Sequence, residues 1–285
     1  MRVGAVYPQT ELGGDPQAVR RLGLEVEALG FDHLLAYDHV LGAVHADREP
    51  PLVGPYTEQD PFHDPLVMFA YLAGLTERIE LVTGVLILPQ RQTALVARQV
   101  ADLDLLSGGR VRLGVGVGWN HVEYEALGQD FTTRGRRQEE QIELLRQLWT
   151  KPVVAFEGHF DRIDRAGLMP RPTRPIPIWM GGFGQVAFAR AARCADGFIF
   201  SGRARDPAEP LHRIHQMLAE EGRDPAEFGA ERIVSVGDGH DTVVSQVEAW
   251  TEAGGTHVAI STMGMELDSA EAHLDALASA ASVLS

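Results

Sequence analysis

Asp38-His39 is the first place in this sequence where side-chain types point to chemistry. A histidine beside a carboxylate exchanges protons near neutral pH, so His39 is a candidate acid–base group with Asp38 in the same site. The pair fits equally well a capping aspartate followed by a loop histidine. Two glycine-rich stretches come later. Gly114-Val115-Gly116-Val117-Gly118-Trp119-Asn120 leaves room for a flat, bulky ligand, or for close packing. Gly181-Gly182-Phe183-Gly184-Gln185 leads into a predicted helix, Val186–Arg193, whose free N–H groups would cradle an anion; a plain tight turn is the alternative. Arg91, Arg203 and Arg205 are candidates for holding a carboxylate or phosphate, against the alternative of exposed arginines flanking helices.

Other chemistries lack their residues. His45, His63, His121 and His159 form no H-x-H or H-E-x-x-H pair, so no metal site is expected. Ser201 has no G-x-S-x-G elbow. A single lysine, Lys151, stands against 24 arginines and sits at a predicted helix end, which leaves Schiff-base chemistry almost nothing to use. The lone cysteine, Cys194, excludes an internal disulfide and fits a reducing cytoplasm. Glu123 and Glu125 read as solvated, and Asp196 as a turn residue at the far end of its strand.

The elements that must position these residues alternate along 285 residues. Short β-branched runs read as buried strands: Arg2–Tyr7, His33–Tyr37, Ile79–Leu88, Val111–Val117, Ile176–Met180, Gly197–Ser201, Arg232–Val236 and His257–Thr262. Between them, apolar residues at three- and four-residue spacing predict helices over Pro16–Leu29, Thr93–Leu106 and Arg134–Trp149. Asp206–Glu221, Asp241–Ala253 and Asp268–Leu284 follow, each opening on an aspartate suited to capping. Eight strand–helix units imply an α/β fold, a closed (β/α)₈ TIM barrel, whose function collects where strands end C-terminally. An open doubly wound sheet would want G-x-G-x-x-G after strand one, where Tyr7-Pro8-Gln9 stands instead. Two segments interrupt the alternation: a Pro- and acid-rich loop, Leu41–Pro65, and a hairpin inserted before strand five within Pro152–Pro177. Nothing divides the chain, so one domain over residues 1–285 is expected. With 25 basic against 40 acidic residues, a net charge of −15 disfavours nucleic-acid and anionic-membrane partners. The longest aliphatic run, Val85 to Leu88, is too short for a membrane span, and no signal peptide opens the sequence; a cytoplasmic protein is expected.

Four stretches, in order and on the predicted strands, carry a family resemblance. They are Gly30-Phe31-Asp32…Tyr37-Asp38-His39, Arg78 to Val85, Ser107-Gly108-Gly109-Arg110…Gly114 to Asn120, and Pro177 to Gly182 followed by Arg190 to Arg193 and Ala195-Asp196-Gly197. Together they resemble the bacterial-luciferase-like superfamily of flavin- or deazaflavin-dependent oxidoreductases over essentially the whole chain. The resemblance implies that His39 hydrogen-bonds the ring or substrate and that Asp38 contacts the ring. It places Thr83, Gly84 and Val85 at a non-prolyl cis peptide, a bulge supporting the ring. Gly116, Trp119 and Asn120 would line the ring pocket, and Gly181, Gly182, Phe183 and Gln185 would meet the cofactor phosphate.

This sequence departs from luciferases proper at Val117, where they place an arginine for the flavin phosphate. It departs from some deazaflavin sugar-phosphate dehydrogenases at Trp119, where they place a catalytic glutamate. The short connection Val236 to His240 resembles the deazaflavin-dependent members. The resemblance thus implies hydride transfer between coenzyme F420, or alternatively FMN, and a small organic substrate. A two-component monooxygenase using reduced FMN from a partner reductase is the second reading, and a non-redox barrel protein the third. A homodimer is implied by the family, and Leu41–Pro65 with the Pro152–Pro177 insertion are the expected specificity elements.

Overall fold

Runs such as Leu34-Leu35-Ala36 and Val258-Ala259-Ile260 are apolar at every position, so a strand built from them must be covered on both faces. In the computed structural model, which describes residues 1–202 and 206–284, they become staves of a barrel wrapped by helices. The chain runs β1 (Arg2–Val6), α1 (Pro16–Ala28), β2 (His33–Ala36), α2 (Pro65–Ala73), β3 (Glu80–Thr83), β4 (Leu86–Ile87), α3 (Thr93–Leu106) and β5 (Val111–Gly116). It continues α4 (His121–Ala126), α5 (Arg134–Thr150), β6 (Val154–Glu157), β7 (Arg162–Ala166), β8 (Ile178–Gly181), α6 (Gln185–Cys194) and β9 (Gly197–Phe200). It ends α7 (Ala208–Glu220), β10 (Gly229–Ser235), α8 (His240–Glu252), β11 (His257–Ser261) and α9 (Ala270–Val283).

Every ladder in the main sheet is parallel. The order is β3-β2-β1-β11-β10-β9-β8-β5-β4, and β3 also pairs with β5, which closes the ring. β3 and β4 are one expected strand, Ile79–Leu88, broken at a cis Gly84–Val85 peptide. Counting them as one stave gives the eight-stranded (β/α)₈ TIM barrel that the sequence implies. β6 and β7 form the antiparallel hairpin inserted before the fifth stave. Among the described residues no helix is long and apolar enough to cross a membrane.

Three local expectations need correction. α2 is absent from the sequence reading, because Pro65-Leu66-Val67-Met68-Phe69-Ala70-Tyr71-Leu72-Ala73 is apolar nearly throughout and shows no polar face; Asp64 caps it by accepting from the Leu66 and Val67 N–H groups. α8 opens on Gly239 (φ +89°), with Asp241 inside its first turn. α9 is capped by Ser269, which accepts from the Ala272 N–H, so Asp268 lies outside it.

Alternation along each strand builds two cores. Leu34 and Ala36 face outward to the helices, in the large core with Leu22, Val100 and Leu145. Leu35 faces inward, joining Val6, Val82, Ile199, Ile233 and Ala259 in an aliphatic layer inside the barrel. Below that layer, at the N-terminal ends of the strands, the interior is charged. Arg112 donates to Glu231 Oε2 (2.7 Å) and Glu80 Oε2 (3.1 Å), His33 bonds the other Glu231 oxygen, and the guanidinium lies 4.1 Å from the Trp179 ring centre. Trp179 occupies the space where side chains at Gly197 and Gly229 would stand. The lower end is therefore plugged, and access is left to the upper end, ringed by Tyr37, Val85 and Met263.

The plug titrates. Burial works against the Glu231 carboxylate, yet Arg112 and His33 outweigh it and hold the group well below the ordinary carboxylate range. Burial and the neighbouring Arg112 cation push His257 down to about 3 from its ordinary 6.5. Unfolded chains take up that histidine proton near 6.5 whereas the folded chain refuses it until about 3, so this contribution to stability is complete above pH 6.5 and declines as pH falls. The Glu231 contribution is lost on further acidification below the unfolded carboxylate value, in the same direction. Urea unfolding at pH 7.5 and pH 5 tests this: wild type should lose stability on acidification, and His257→Gln should lose less. Equal pH dependence in the two would show that His257 is not the titrating group.

Candidate active site

The site gathers on the upper ends of staves two, three and four. β2 delivers Tyr37, Asp38 and His39; the Gly84–Val85 bulge interrupts stave three; and β5 runs into Trp119, Asn120 and α4. Val85 fills the space in front of the next strands, since a Cβ on Gly116 would lie 2.4 Å from Val85 Cγ2 and one on Gly181 2.9 Å from Cγ1. A Cβ on Gly114 would lie 1.9 Å from the Thr83 carbonyl oxygen. These glycines thus answer to the bulge.

His39 is the organising side chain. Its Nδ1 lies 3.1 Å from Glu123 Oε2, and its ring packs edge-on against Tyr56 (5.3 Å), Phe62 (4.9 Å) and Trp119 (5.5 Å). Tyr56 and Phe62 come from the Leu41–Pro65 loop, which therefore walls the site, and Trp119 stacks its far edge against Gly54 of the same loop. Nε2 of His39 makes no hydrogen bond among the described residues.

Glu123 overturns the sequence reading of it as solvated. Glu125 is exposed, but Glu123 is 1% exposed. Its Oε1 accepts from the Val40 (2.6 Å) and Leu41 (3.0 Å) N–H groups while Oε2 faces His39. Burial pushes this carboxyl up, but the His39 hydrogen bond, the His39 charge and the two N–H donors outweigh burial and hold it below its ordinary range. A glutamate three residues after the N-cap can fold back onto its own helix. Asn120 does cap α4, accepting from Val122 and Glu123 N–H, but the glutamate reaches across to β2.

Several expected cofactor contacts are engaged within the protein. Asp38 is buried, accepts from the Ile87 N–H (2.8 Å) with Oδ2 and from Arg91 Nη2 (2.6 Å) with Oδ1, and so holds the strand-three bulge to β2. Arg91 donates also to Asp64 Oδ2 (3.0 Å). Burial opposes its charge, yet Asp38 and Asp64 outweigh it and hold the guanidinium above its ordinary range. Arg91 is therefore neither exposed nor free for a phosphate; it fastens β2 to the start of α2. Thr83 donates its hydroxyl to the Gly114 carbonyl (2.7 Å), and Asn120 Nδ2 donates to the Leu41 carbonyl (3.2 Å). Arg203 and Arg205 lie outside the described residues.

The Gly181–Gln185 turn is different. Gly184, at φ +77°, brings the chain into α6 without any side-chain cap, and a Cβ there would meet nothing within 4 Å. The first N–H groups of a helix have no partner within it. Among the described residues the Ala187 and Phe188 N–H groups donate to the Gly184 carbonyl, which leaves those of Gln185 and Val186 at the helix start, beside Phe183, which is 73% exposed. An uncapped, glycine-bounded helix start of this kind fits a phosphate. Elsewhere chemistry is scarce: burial pushes the Cys194 thiol up to about 11, and no three His, Cys, Asp or Glu side chains among the described residues are placed to hold a metal.

These contacts separate two roles for Arg91. Arg91→Met leaves Asp38 buried without its cation, and urea unfolding should show a loss of about 3–5 kcal/mol. An arginine kept for ligand phosphate would instead leave stability intact and weaken binding alone.

Comparison with known proteins matches this geometry to a family. The profile of luciferase-like monooxygenases matches residues 1–281. An uncharacterized protein of Mycobacterium tuberculosis is 31% identical over 284 residues, 98% of each chain. The F420-dependent glucose-6-phosphate dehydrogenase of Amycolatopsis mediterranei is 30% identical over 239 residues, 82% of this chain and 66% of that protein. Monooxygenase RslO1 from Streptomyces bottropensis has the same fold, with a TM-score of 0.77 at 18% identity over 98% of both chains.

Proposed function

The chain belongs to the luciferase-like monooxygenase family, and from that premise we propose that it is an oxidoreductase passing hydride between the deazaflavin coenzyme F420 and a small, uncharged organic substrate. The observation that carries the reading is the pairing of two features at one end of the barrel: the uncapped Gly181–Gln185 helix start, suited to a cofactor phosphate, and His39, whose Nε2 makes no hydrogen bond among the described residues. When bound, F420 would supply the two-electron redox chemistry. The protein's own part is to bind the phosphate at Gly182 to Gln185, support the ring on Val85, and exchange a proton with the substrate oxygen at His39. The F420-dependent relative adds weight to the deazaflavin over FMN, as does Val117 standing where luciferases place a phosphate-binding arginine.

Substrate chemistry follows from the walls. His39 is enclosed by Tyr56, Phe62 and Trp119, and Arg91 is engaged by Asp38 and Asp64. This environment favours an uncharged ketone or alcohol over a sugar phosphate, because a dianion brought there would lose hydration without a counter-charge from Arg91. The second reading, a monooxygenase fed reduced FMN by a partner reductase, is favoured by the fold shared with RslO1. It alone consumes oxygen in step with product.

Fluorescence titration of the purified protein with F420, oxidised FMN and anaerobically reduced FMN decides among these. Binding of F420 at micromolar concentration with weak FMN binding is the expected result; preference for reduced FMN would install the second reading, and no binding of any of the three would remove redox function. Gly182→Asp should abolish F420 binding while circular dichroism stays unchanged, since it sets charge and bulk in the cradle. His39→Ala should keep F420 affinity within a few-fold and lower turnover about a hundredfold or more. Unchanged turnover would reduce His39 to a packing role.

A further inference from the structure

We infer that Glu123 is a positioning residue that fixes the tautomer of His39, so that the proton exchanged with substrate passes through Nε2. The inference rests on the reading of His39 as the acid–base group, and the geometry assigns the two oxygens of Glu123 separate tasks. Oε1 is taken up by the Val40 and Leu41 N–H groups at 2.6 and 3.0 Å, which pins the start of the Leu41–Pro65 wall. Oε2 stands 3.1 Å from His39 Nδ1. A buried carboxylate can only accept, so a neutral His39 must place its proton on Nδ1 and leave the Nε2 lone pair bare.

The surroundings reinforce that choice. The ring is clamped on three sides by Tyr56, Phe62 and Trp119, so it cannot turn to present the other nitrogen without displacing them. Nε2 is the atom without a hydrogen bond among the described residues. When it takes a proton from a substrate hydroxyl, the Nδ1 proton stays where it is and the resulting imidazolium faces the Glu123 carboxylate. In the opposite direction Nε2 returns that one proton to the substrate oxygen, and neither Glu123 nor Nδ1 changes protonation. Glu123 acts through His39 and touches no substrate.

Glu123→Gln separates the two tasks. The amide oxygen can still accept from Val40 and Leu41, but the amide nitrogen then faces His39 and donates to Nδ1, which moves the imidazole proton to Nε2. Nitrogen-15 NMR of histidine-labelled protein at alkaline pH, without cofactor or substrate, reads this directly. The wild type should show Nε2 as the unprotonated, pyridine-like nitrogen of His39, and E123Q should show Nδ1 in that role, with the Val40 and Leu41 amide resonances little moved. A wild-type spectrum with bare Nδ1, or identical tautomers in the two proteins, would overturn the assignment. Should E123Q fail to fold, the wild-type spectrum alone still decides. Because the measurement needs neither F420 nor a substrate, it stands or falls separately from the cofactor titration.

Discussion

Arg112 carries a full positive charge inside a closed ring of parallel strands, 2% exposed, and that charge must be met without bulk water. An isolated buried ion would be prohibitive, so the lower barrel is organised around it. Glu80 comes from the neighbouring β3 and Glu231 from β10 across the barrel, His33 satisfies the second Glu231 oxygen, and Trp179 lays its face against the guanidinium. The bulk of Trp179 in turn requires Gly197 and Gly229 on the next two strands, β9 and β10. One consequence is functional: with charge and tryptophan closing the N-terminal end and aliphatics above them, a ligand can enter only where the strands end.

The upper end uses the same logic for a different purpose. There, too, several polar side chains are engaged by protein. Asp38 and Arg91 fasten the strand-three bulge and α2 to β2, Thr83 fastens the bulge to β5, and Asn120 fastens α4 to the loop that follows β2. Each of these was a candidate for touching a ligand, and each proves to hold a part of the mouth in place. Among the described residues, the edge of His39, the side chain of Val85 and the helix start at Gly181–Gln185 are not taken up by these bonds. A rim held together by such bonds suits a bound cofactor that performs the electron chemistry while the protein positions it.

Local patterns in the sequence were enough for most of the architecture. Continuous β-branched runs for strands, three- and four-residue spacing in helices, and eight repeats of the pair led to a barrel, and the barrel placed Asp38-His39 and Gly181-Gly182 at its mouth. α2 escaped because a helix apolar on nearly every side leaves no period to read. Glu123 escaped for a related reason. Its neighbours Asn120 and Glu125 describe an ordinary short helix start, and nothing nearby says that one of the two glutamates is buried.

The sequence by itself determined most of the elements, their order, and which residues stand at strand ends. Those features depend on interactions within a dozen residues, and a linear pattern records them. Only the tertiary structure decided partnership: that Glu123 pairs with His39 from 84 positions away, that Arg91 belongs to Asp38 across 53, and that Gly116 and Gly181 make room for Val85. Pairing of distant charges depends on barrel closure bringing strand ends within a few ångströms, and the direction a side chain then takes is set by whichever buried donor or acceptor would otherwise lack a partner.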